Sequence, residues 1–361
     1  MAAQHIAIIY GGKSTEHEIS IRSARNIAKA IDKTKYTLAL IAIAKDGCWY
    51  AKSIEELNVE TVVEPSENRL SLLPGASTGR FLNIGTGKEL QDITAIFPIV
   101  HGTGGEDGSL QGLLKTMNIP FVGPGVVGSA LCIDKDVAKR ILSEAGISNS
   151  KFLAYHTSER SEITFEIAQA ALGVPMYIKP PNLGSSIGIS KIHTKQEFDL
   201  AIDEALRYDR KVLIEQSIVG REIECAVLGN AEAKASLVGE VVTNEDSHTF
   251  YDYTAKYLDA NGSVTMIPAK MDAALQNKIR EIAIKSYKAL NCEGMARVDV
   301  FLTQQNEIIV NEVNTLPGFT DISMYPKLWE AGGLSYADLI TELIHLAIER
   351  SEDESKMQTS V

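Results

Sequence analysis

The stretch that decides the fold is residues 293–320, EGMARVDVFLTQQNEIIVNEVNTLPGFT. It reads as two strands joined by a polar turn. The first, 296–302, carries Arg297 and Asp299. The second, 307–313, carries Glu312 and runs into Asn314. Residues two apart on a strand point to the same face. Arg297 therefore shares a face with Asp299, and Glu312 with Asn314. Paired as a hairpin, the strands bring Asp299, Glu312 and Asn314 together. Three hard oxygen ligands suit Mg²⁺, which takes carboxylates together with phosphate oxygens and water. Arg297 adds a planar cation for a developing oxyanion or phosphoryl group. The turn at Pro317-Gly318 offers a backbone N–H nearby. Read alone, the same residues also fit an ordinary solvated polar hairpin.

The rest of the chain sets the context. Its 361 residues allow two or three domains, at roughly 100–200 residues each. A hydrophobic fraction of 45% and a charged fraction of 23% are those of a globular protein with a substantial core. The net charge of -12 argues against nucleic acid as the main partner. It leaves an anionic nucleotide open, since a local lysine cluster and Mg²⁺ reverse the field. Cys48, Cys132, Cys225 and Cys292 form no CxxC pair. Neither a zinc site nor a disulfide framework is expected, and reduced thiols fit a cytoplasmic protein. No signal peptide and no membrane helix are expected.

Residues 5–10 are a short apolar run ending in Gly11-Gly12, with KSTEHE and a helix over 20–31 behind it. This opens an α/β unit, and loops after strands in such sheets bind ligands. The pattern is not GxGxxG. Glu16 is either a site residue reaching an amine or a first-turn helix carboxylate favoured by the macrodipole. A second strand is expected over 36–44, an irregular insertion over 46–90 and a buried strand over 93–100. That strand feeds HGTGGEDGSLQGLL, with His101 at its end and a helix from Ser109. Strand, glycine-rich loop and helix N-terminus suit a small-molecule site as well as a plain tight turn. The segment IDKDVAKRIL puts Lys135 and Lys139 on one helical face.

A second unit follows. A strand over 174–179 ends at Lys179 and leads into PPNLGSSIGISKI. This turn has the character of a phosphate flap, with backbone N–H groups and Ser185 and Ser186 facing an anion. It lacks the P-loop signature. Strands over 212–215 and 222–228 carry Glu215 and Glu222, either nucleoside contacts or surface carboxylates. Residues 243–263, rich in tyrosine and containing FYDYTAKY, form a long polar loop of the kind that closes over a site. Helices are expected over 275–290 and 334–348, and 351–361 is a polar tail.

Together these stretches resemble the D-alanine–D-alanine ligases of the ATP-grasp superfamily. The resemblance runs through GGKSTEHEIS, HGTGGEDGSLQG, IKPPNLGSSIGISK, FYDYTAKY, RVDVF and NEVNTLPGFT, in the family's order. It implies an α/β (α+β), three-domain ATP-grasp fold with an N-terminal Rossmann-like (preATP-grasp) domain. The domains expected are 1–133, 134–225 and 226–350, with a lid at 243–263. It implies ATP contacts at Lys135, Lys179, Ser186, Glu215, Glu222, Phe250 and Lys256. Asp299, Glu312 and Asn314 resemble the ligands of two Mg²⁺ ions, for which Mn²⁺ substitutes. Glu16 resembles the carboxylate that holds the first D-alanine's ammonium. Glu16, Ser185 and Tyr257 resemble the family's hydrogen-bonded triad, and His101 falls in the first-substrate pocket. Arg297 and Gly318 resemble the oxyanion site, and Ser323 with Leu316 the second D-alanine's carboxylate site. The implied activity joins two D-alanines at the cost of ATP, through a D-alanyl phosphate, in a cytoplasmic homodimer. Ligases of the same fold making D-alanyl-D-lactate or D-alanyl-D-serine are the nearest alternative, and Lys256-Tyr257 favours the amino-acid product. A nucleotide-binding module without catalysis is the second alternative. A dinucleotide oxidoreductase is disfavoured by the missing glycine fingerprint.

Overall fold

The computed structural model describes residues 3–75, 81–184, 188–243 and 263–358. Its first sheet has four strands in the order β3-β2-β1-β7. Strand β1 (Gln4–Gly11) is flanked in parallel by β2 (Tyr36–Ile43) and β7 (Ala95–Pro98), and β3 (Trp49–Lys52) adds antiparallel at the edge. A strand covered on both faces reads as an unbroken apolar run, and Ile6 to Tyr10 are all fully buried. Helix α1 (His17–Ala30) buries Ile21, Ala24, Ile27 and Ala28 against this sheet. The turn between them needs Gly11: its φ is +87°, and a Cβ there would lie 2.3 Å from the Ile43 carbonyl oxygen.

Residues 46–90, expected to be irregular, are more ordered than their composition suggests. They contain β3, α2 (Ile54–Val59) and a small antiparallel sheet of β4 (Leu70–Leu72), β5 (Phe81–Asn83) and β6 (Lys88–Glu89). Short strands between polar turns leave too few alternating residues to show a period. Helices α3 (Ser109–Thr116), α4 (Val126–Ile133) and α5 (Lys135–Glu144) follow the loop after β7.

The second sheet, β10-β9-β11-β8, is antiparallel. It consists of β8 (Phe152–His156), β9 (Met176–Lys179), β10 (Ser190–Ile192) and β11 (Lys211–Gln216), backed by α6 (Phe165–Leu172) and α7 (Lys195–Ala205). The chain then crosses to a third sheet, β14-β13-β12-β15-β16. Its strands are β12 (Arg221–Gly229), β13 (Lys234–Thr243), β14 (Ser263–Met266), β15 (Gly294–Leu302) and β16 (Ile308–Asn314). The sheet changes within the short link between Gln216 and Arg221, and β12 spans Arg221–Gly229 with a register shift against β13 between Cys225 and Val227.

The hairpin of β15 and β16 forms as the spacing predicts. Arg297 lies opposite Asn314, and Asp299 opposite Glu312. The register then shifts, so that Val300 meets Val310 and Asn311 is the extra residue of a bulge. Alternation divides the sheet into two faces. Ile223, Cys225, Ala296, Val298, Val300 and Val310 pack on α8 (Ala273–Ala289) in one core. Glu222, Glu224, Arg297 and Asp299 are on the other face.

Helices α9 (Met324–Ala331) and α10 (Tyr336–Ser355) complete the chain. Residues 351–355, expected to be tail, are the last part of α10. One core cluster joins the first sheet to these helices, with Ile8, Phe97, Phe319, Tyr325 and Leu339 in it. Phe97 meets Phe319 edge-on, with ring centroids 5.5 Å apart. This contact holds the loop after β16 against the end of β7. Arg350 adds a polar tie, donating to the carbonyls of Gly123 and Phe121 at 2.6 and 2.7 Å.

Candidate active site

The charged face of the third sheet is built around one cation. Arg297 donates from Nε and Nη2 to the two oxygens of Asp299, at 2.7 and 2.6 Å. Glu224, opposite Asp299 on β12, places Oε2 3.0 Å from the same Nε. A planar fork matched to carboxylates explains arginine here rather than lysine. Burial opposes the charge on Arg297, but Asp299 and Glu224 more than offset it and hold the guanidinium well above its ordinary pKa.

Helix α5 carries charge between the second and third sheets. Lys135 Nζ is 3.5 Å from Glu312 Oε2 on β16 and donates to the Leu183 carbonyl at 3.0 Å, at the base of the flap. One turn later, Lys139 reaches the second sheet. Its Nζ is 3.0 Å from Glu215 Oε1 and donates to Ser150 Oγ at 2.8 Å. The other Glu215 oxygen meets Lys179 Nζ at 2.7 Å. These three side chains are almost out of solvent: residue exposures are 1% for Lys139, 5% for Glu215 and 6% for Lys179. Burial pushes the Glu215 carboxyl up, yet Lys139 and Lys179 together hold it below its ordinary value. Burial also lowers the Lys139 ammonium, against the pull of Glu215. Glu222 sits further along the face of β12. Burial first, and then the Glu222 charge, raise the Tyr177 phenol on β9 above its ordinary value.

The first unit contributes the loops after β1 and β7. Glu16 caps the start of α1 without a side-chain bond to the helix. Its Oε2 lies 2.7 Å from where a Cβ on Gly102 would be, and 3.2 Å from one on Gly184. Both glycines give the carboxylate room, and the second is at the entry to the flap. His101 is buried. Its Nδ1 lies 3.0 Å from the Leu316 carbonyl and 3.5 Å from Glu106, and its Nε2 lies 3.1 Å from Ser23 Oγ. Ser23 Oγ also accepts the Phe319 N–H at 3.2 Å. One tautomer satisfies all of these: Nδ1–H donates to the carbonyl, and Nε2 accepts from the serine hydroxyl.

The loop after β16 is folded on itself. Asn314 Oδ1 accepts the Leu316 N–H at 3.1 Å. Ser323 Oγ accepts the Thr320 N–H at 3.0 Å and lies 2.8 Å from Thr320 Oγ1. A Cβ on Gly318 would stand 2.7 Å from that Ser323 oxygen, so the glycine lets the backbone approach.

The structure thus brings together Lys135, Arg297, Asp299, Glu312 and Asn314, and separately Lys179 with Glu215. Glu16 meets the glycine loop at Gly102 and the flap entry, and His101 meets Leu316. Ser185, Ser186, Phe250, Lys256 and Tyr257 lie outside the described residues. Sequence reading gave no role to Lys139, Glu224 or Ser23. Two of them carried a signal: Lys139 is one turn from Lys135, and Glu224 is two residues from Glu222 on the same strand face. Nothing local marks Ser23.

Among the described residues, no group of three or more His, Cys, Asp or Glu is disposed around a metal position. The donor set still fits a divalent cation of the Mg²⁺ type. Such an ion takes one or two protein carboxylates and completes its shell with phosphate oxygens and water. Asp299 and Glu312 are directly opposed across the hairpin, and Asn314 adds a neutral oxygen on the same face.

Comparison with known proteins covers nearly the whole chain. The family model "D-ala D-ala ligase N-terminus" matches residues 5–124, and "D-ala D-ala ligase C-terminus" matches 141–345. The D-alanine–D-alanine ligase of Oceanobacillus iheyensis is 49% identical, over 98% of this chain and 98% of the relative. The solved D-alanine–D-alanine ligase of Coxiella burnetii superposes with a TM-score of 0.84 at 37% identity, over 98% of this chain and 97% of that one. The VanG D-Ala:D-Ser ligase of Enterococcus faecalis superposes with a TM-score of 0.85 at 39% identity, over 96% and 99%.

Proposed function

The chain belongs to the D-alanine–D-alanine ligase family, and on that premise we propose which of its residues carry each part of the reaction. It is an ATP-dependent ligase of the ATP-grasp fold that joins two D-alanines into the dipeptide used for cell-wall precursors. Its use of ATP goes with dependence on a divalent metal.

A carboxylate is a poor electrophile, so the first D-alanine is activated as an acyl phosphate before the second amine attacks. Glu16 receives the first substrate's ammonium, as a carboxylate held between the glycine loop and the flap entry. His101 sits beside it and orients the loop that carries Leu316. Lys179 and Lys135 face the polyphosphate, with Ser185 and Ser186 completing the flap. Glu215 and Glu222 take the nucleoside, with Phe250 and Lys256 from the lid segment. Asp299, Glu312 and Asn314 hold Mg²⁺, with Mn²⁺ as a substitute. The bound metal supplies charge neutralisation at the phosphate oxygens. Arg297 and the backbone N–H of Gly318 stabilise the oxyanion of the tetrahedral intermediate, which collapses to dipeptide and phosphate. Ser323 and Leu316 position the second D-alanine's carboxylate. Tyr257 joins Glu16 and Ser185 in closing the site, which keeps water from the acyl phosphate.

The observation that carries these roles is the meeting of Arg297, Asp299 and Glu312 with Lys135 from another element, since metal, oxyanion and phosphate chemistry all converge there. The test is phosphate release from ATP with Mg²⁺ and D-alanine, with the product identified by mass. No D-alanine-dependent release would leave only a nucleotide-binding module.

The likeness to a D-Ala:D-Ser ligase supports a second reading of the acceptor site alone. Competition between D-alanine, D-serine and D-lactate, with products resolved by mass, decides it; a predominant D-alanyl-D-serine product would overturn the D-alanine assignment. We place the enzyme in the cytoplasm as a homodimer. No helix among the described residues is long and apolar enough to cross a membrane. Light scattering on the purified protein tests the dimer.

A further inference from the structure

Lys139 takes no part in the scheme above, yet it is the charged side chain most deeply set into the second sheet's site. Its side chain is 1% exposed, closed off from solvent by the elements around it. It donates to Ser150 Oγ at 2.8 Å and forms an ion pair with Glu215, Nζ lying 3.0 Å from Oε1. The Phe152 ring lies 6.0 Å from Nζ on another side.

The charge balance of this cluster poses a problem that Lys139 solves. Lys179 is 2.7 Å from Glu215 Oε2. By themselves the two form a neutral pair, and a neutral pair has little pull on an anion. With Lys139 on the carboxylate's other oxygen, two cations share one anion. The cluster then carries a surplus of one positive charge. Nearly out of water, that surplus is weakly screened. It also divides the carboxylate's attraction, so Lys179 is not claimed by Glu215 alone.

We infer that Lys139 is a positioning residue that holds Glu215 from behind and thereby leaves Lys179 a net cation for the phosphates of ATP. The inference rests on the proposed contact between Lys179 and ATP. Lys139 touches neither substrate nor nucleotide and acts through its two partners.

The test is Lys139→Met, of similar length and without charge. The KM for ATP rises about tenfold, within the range of coupling between contacting residues. The kcat and the KM for D-alanine stay within about twofold of the parent, as that coupling is confined to one cluster. Calorimetry at fixed Mg²⁺ separates this from a lesion confined to the Glu215 nucleoside contact: ATP binding weakens by a larger factor than adenosine binding. Lys139→Gln keeps a donor for Ser150 and gives the same pattern, which covers a folding failure of the Met variant. In the double variant with Lys179→Met, ATP binds no more weakly than to Lys179→Met alone. Equal losses for ATP and adenosine, an unchanged KM for ATP, or additive losses in the double variant would overturn the inference. If Lys179→Met alone leaves ATP binding intact, the phosphate role of Lys179 is what fails, and this inference goes with it.

Discussion

Arg297 forks onto Asp299 two residues along the same strand, at 2.7 and 2.6 Å, and so ties the proposed oxyanion donor to a proposed metal ligand. The pair is available only because neighbours at this spacing share a face. Glu224 braces the guanidinium from the next strand at 3.0 Å. The donor is therefore fixed before substrate arrives, which is the condition for electrostatic stabilisation without reorganisation.

Arg297→Lys removes the fork and keeps the charge. An ammonium cannot bridge both Asp299 oxygens and still present a planar face. The expected loss is about 10²–10³-fold in kcat, the usual effect of removing one oxyanion donor. The KM for ATP changes much less. Steady-state kinetics with both substrates varied reads this, and a parent-like kcat would take Arg297 out of the chemistry.

Gly102→Ala tests the space reserved for Glu16. The new Cβ would stand 2.7 Å from Glu16 Oε2, at a φ of +76°. The backbone alone costs about 1–2 kcal/mol for a residue with a Cβ in this region. The carboxylate must also move, so the KM for the first D-alanine rises while ATP binding holds. Loss of ATP affinity with an unchanged D-alanine KM would contradict the placement.

Ser23→Ala breaks the relay from the Phe319 N–H through Ser23 Oγ to His101. Ser23 is fully buried, so the orphaned N–H and imidazole nitrogen have no water to turn to. The expected cost is about 1–3 kcal/mol in unfolding free energy, measured by urea denaturation. A change below a few tenths would mean that the relay does not hold the loop.

Glu215→Gln carries a pH signature. The Glu215 carboxyl is lowered from 4.5 in the folded chain: burial opposes this, and Lys139 and Lys179 overcome it. A group with a lowered folded pKa contributes stability that is complete above its unfolded value and is lost as pH falls through the folded one. Removing one partner of a buried charge cluster costs about 3–5 kcal/mol. That difference between parent and variant is flat from neutral pH down to about 4.5 and narrows below it. Chemical denaturation across this range checks the sign; a gap that widens on acidification would reverse it.

Much of the site is legible in the sequence because its spacing is local. The pairing of β15 with β16 as a hairpin, the shared face of Arg297 and Asp299, and Lys135 and Lys139 on one turn of α5 all follow from periods of two and of about 3.6, whereas the bulge at Asn311 does not. The glycine loop after β7 is marked by its own composition. Residues 46–90 were hard to read because their strands are two to four residues long, too short for alternation to stand out. The helical end of α10 was hidden because an exposed helix end needs no apolar stripe, and composition there resembles a tail.

By itself, the sequence determined the longer strands that carry the site, such as β1, β12, β15 and β16, with their faces and the chemistry each face offers, since these depend on neighbours a few residues away. Only the tertiary structure decided which cation meets which carboxylate. Lys139 meets Glu215 across 76 positions, Ser23 meets Phe319 across 296, and Lys135 on α5 meets Glu312 on β16 across 177. Such partners are chosen by how whole elements pack and by how burial raises the cost of an unpaired charge. Neither is encoded in the spacing of any single segment.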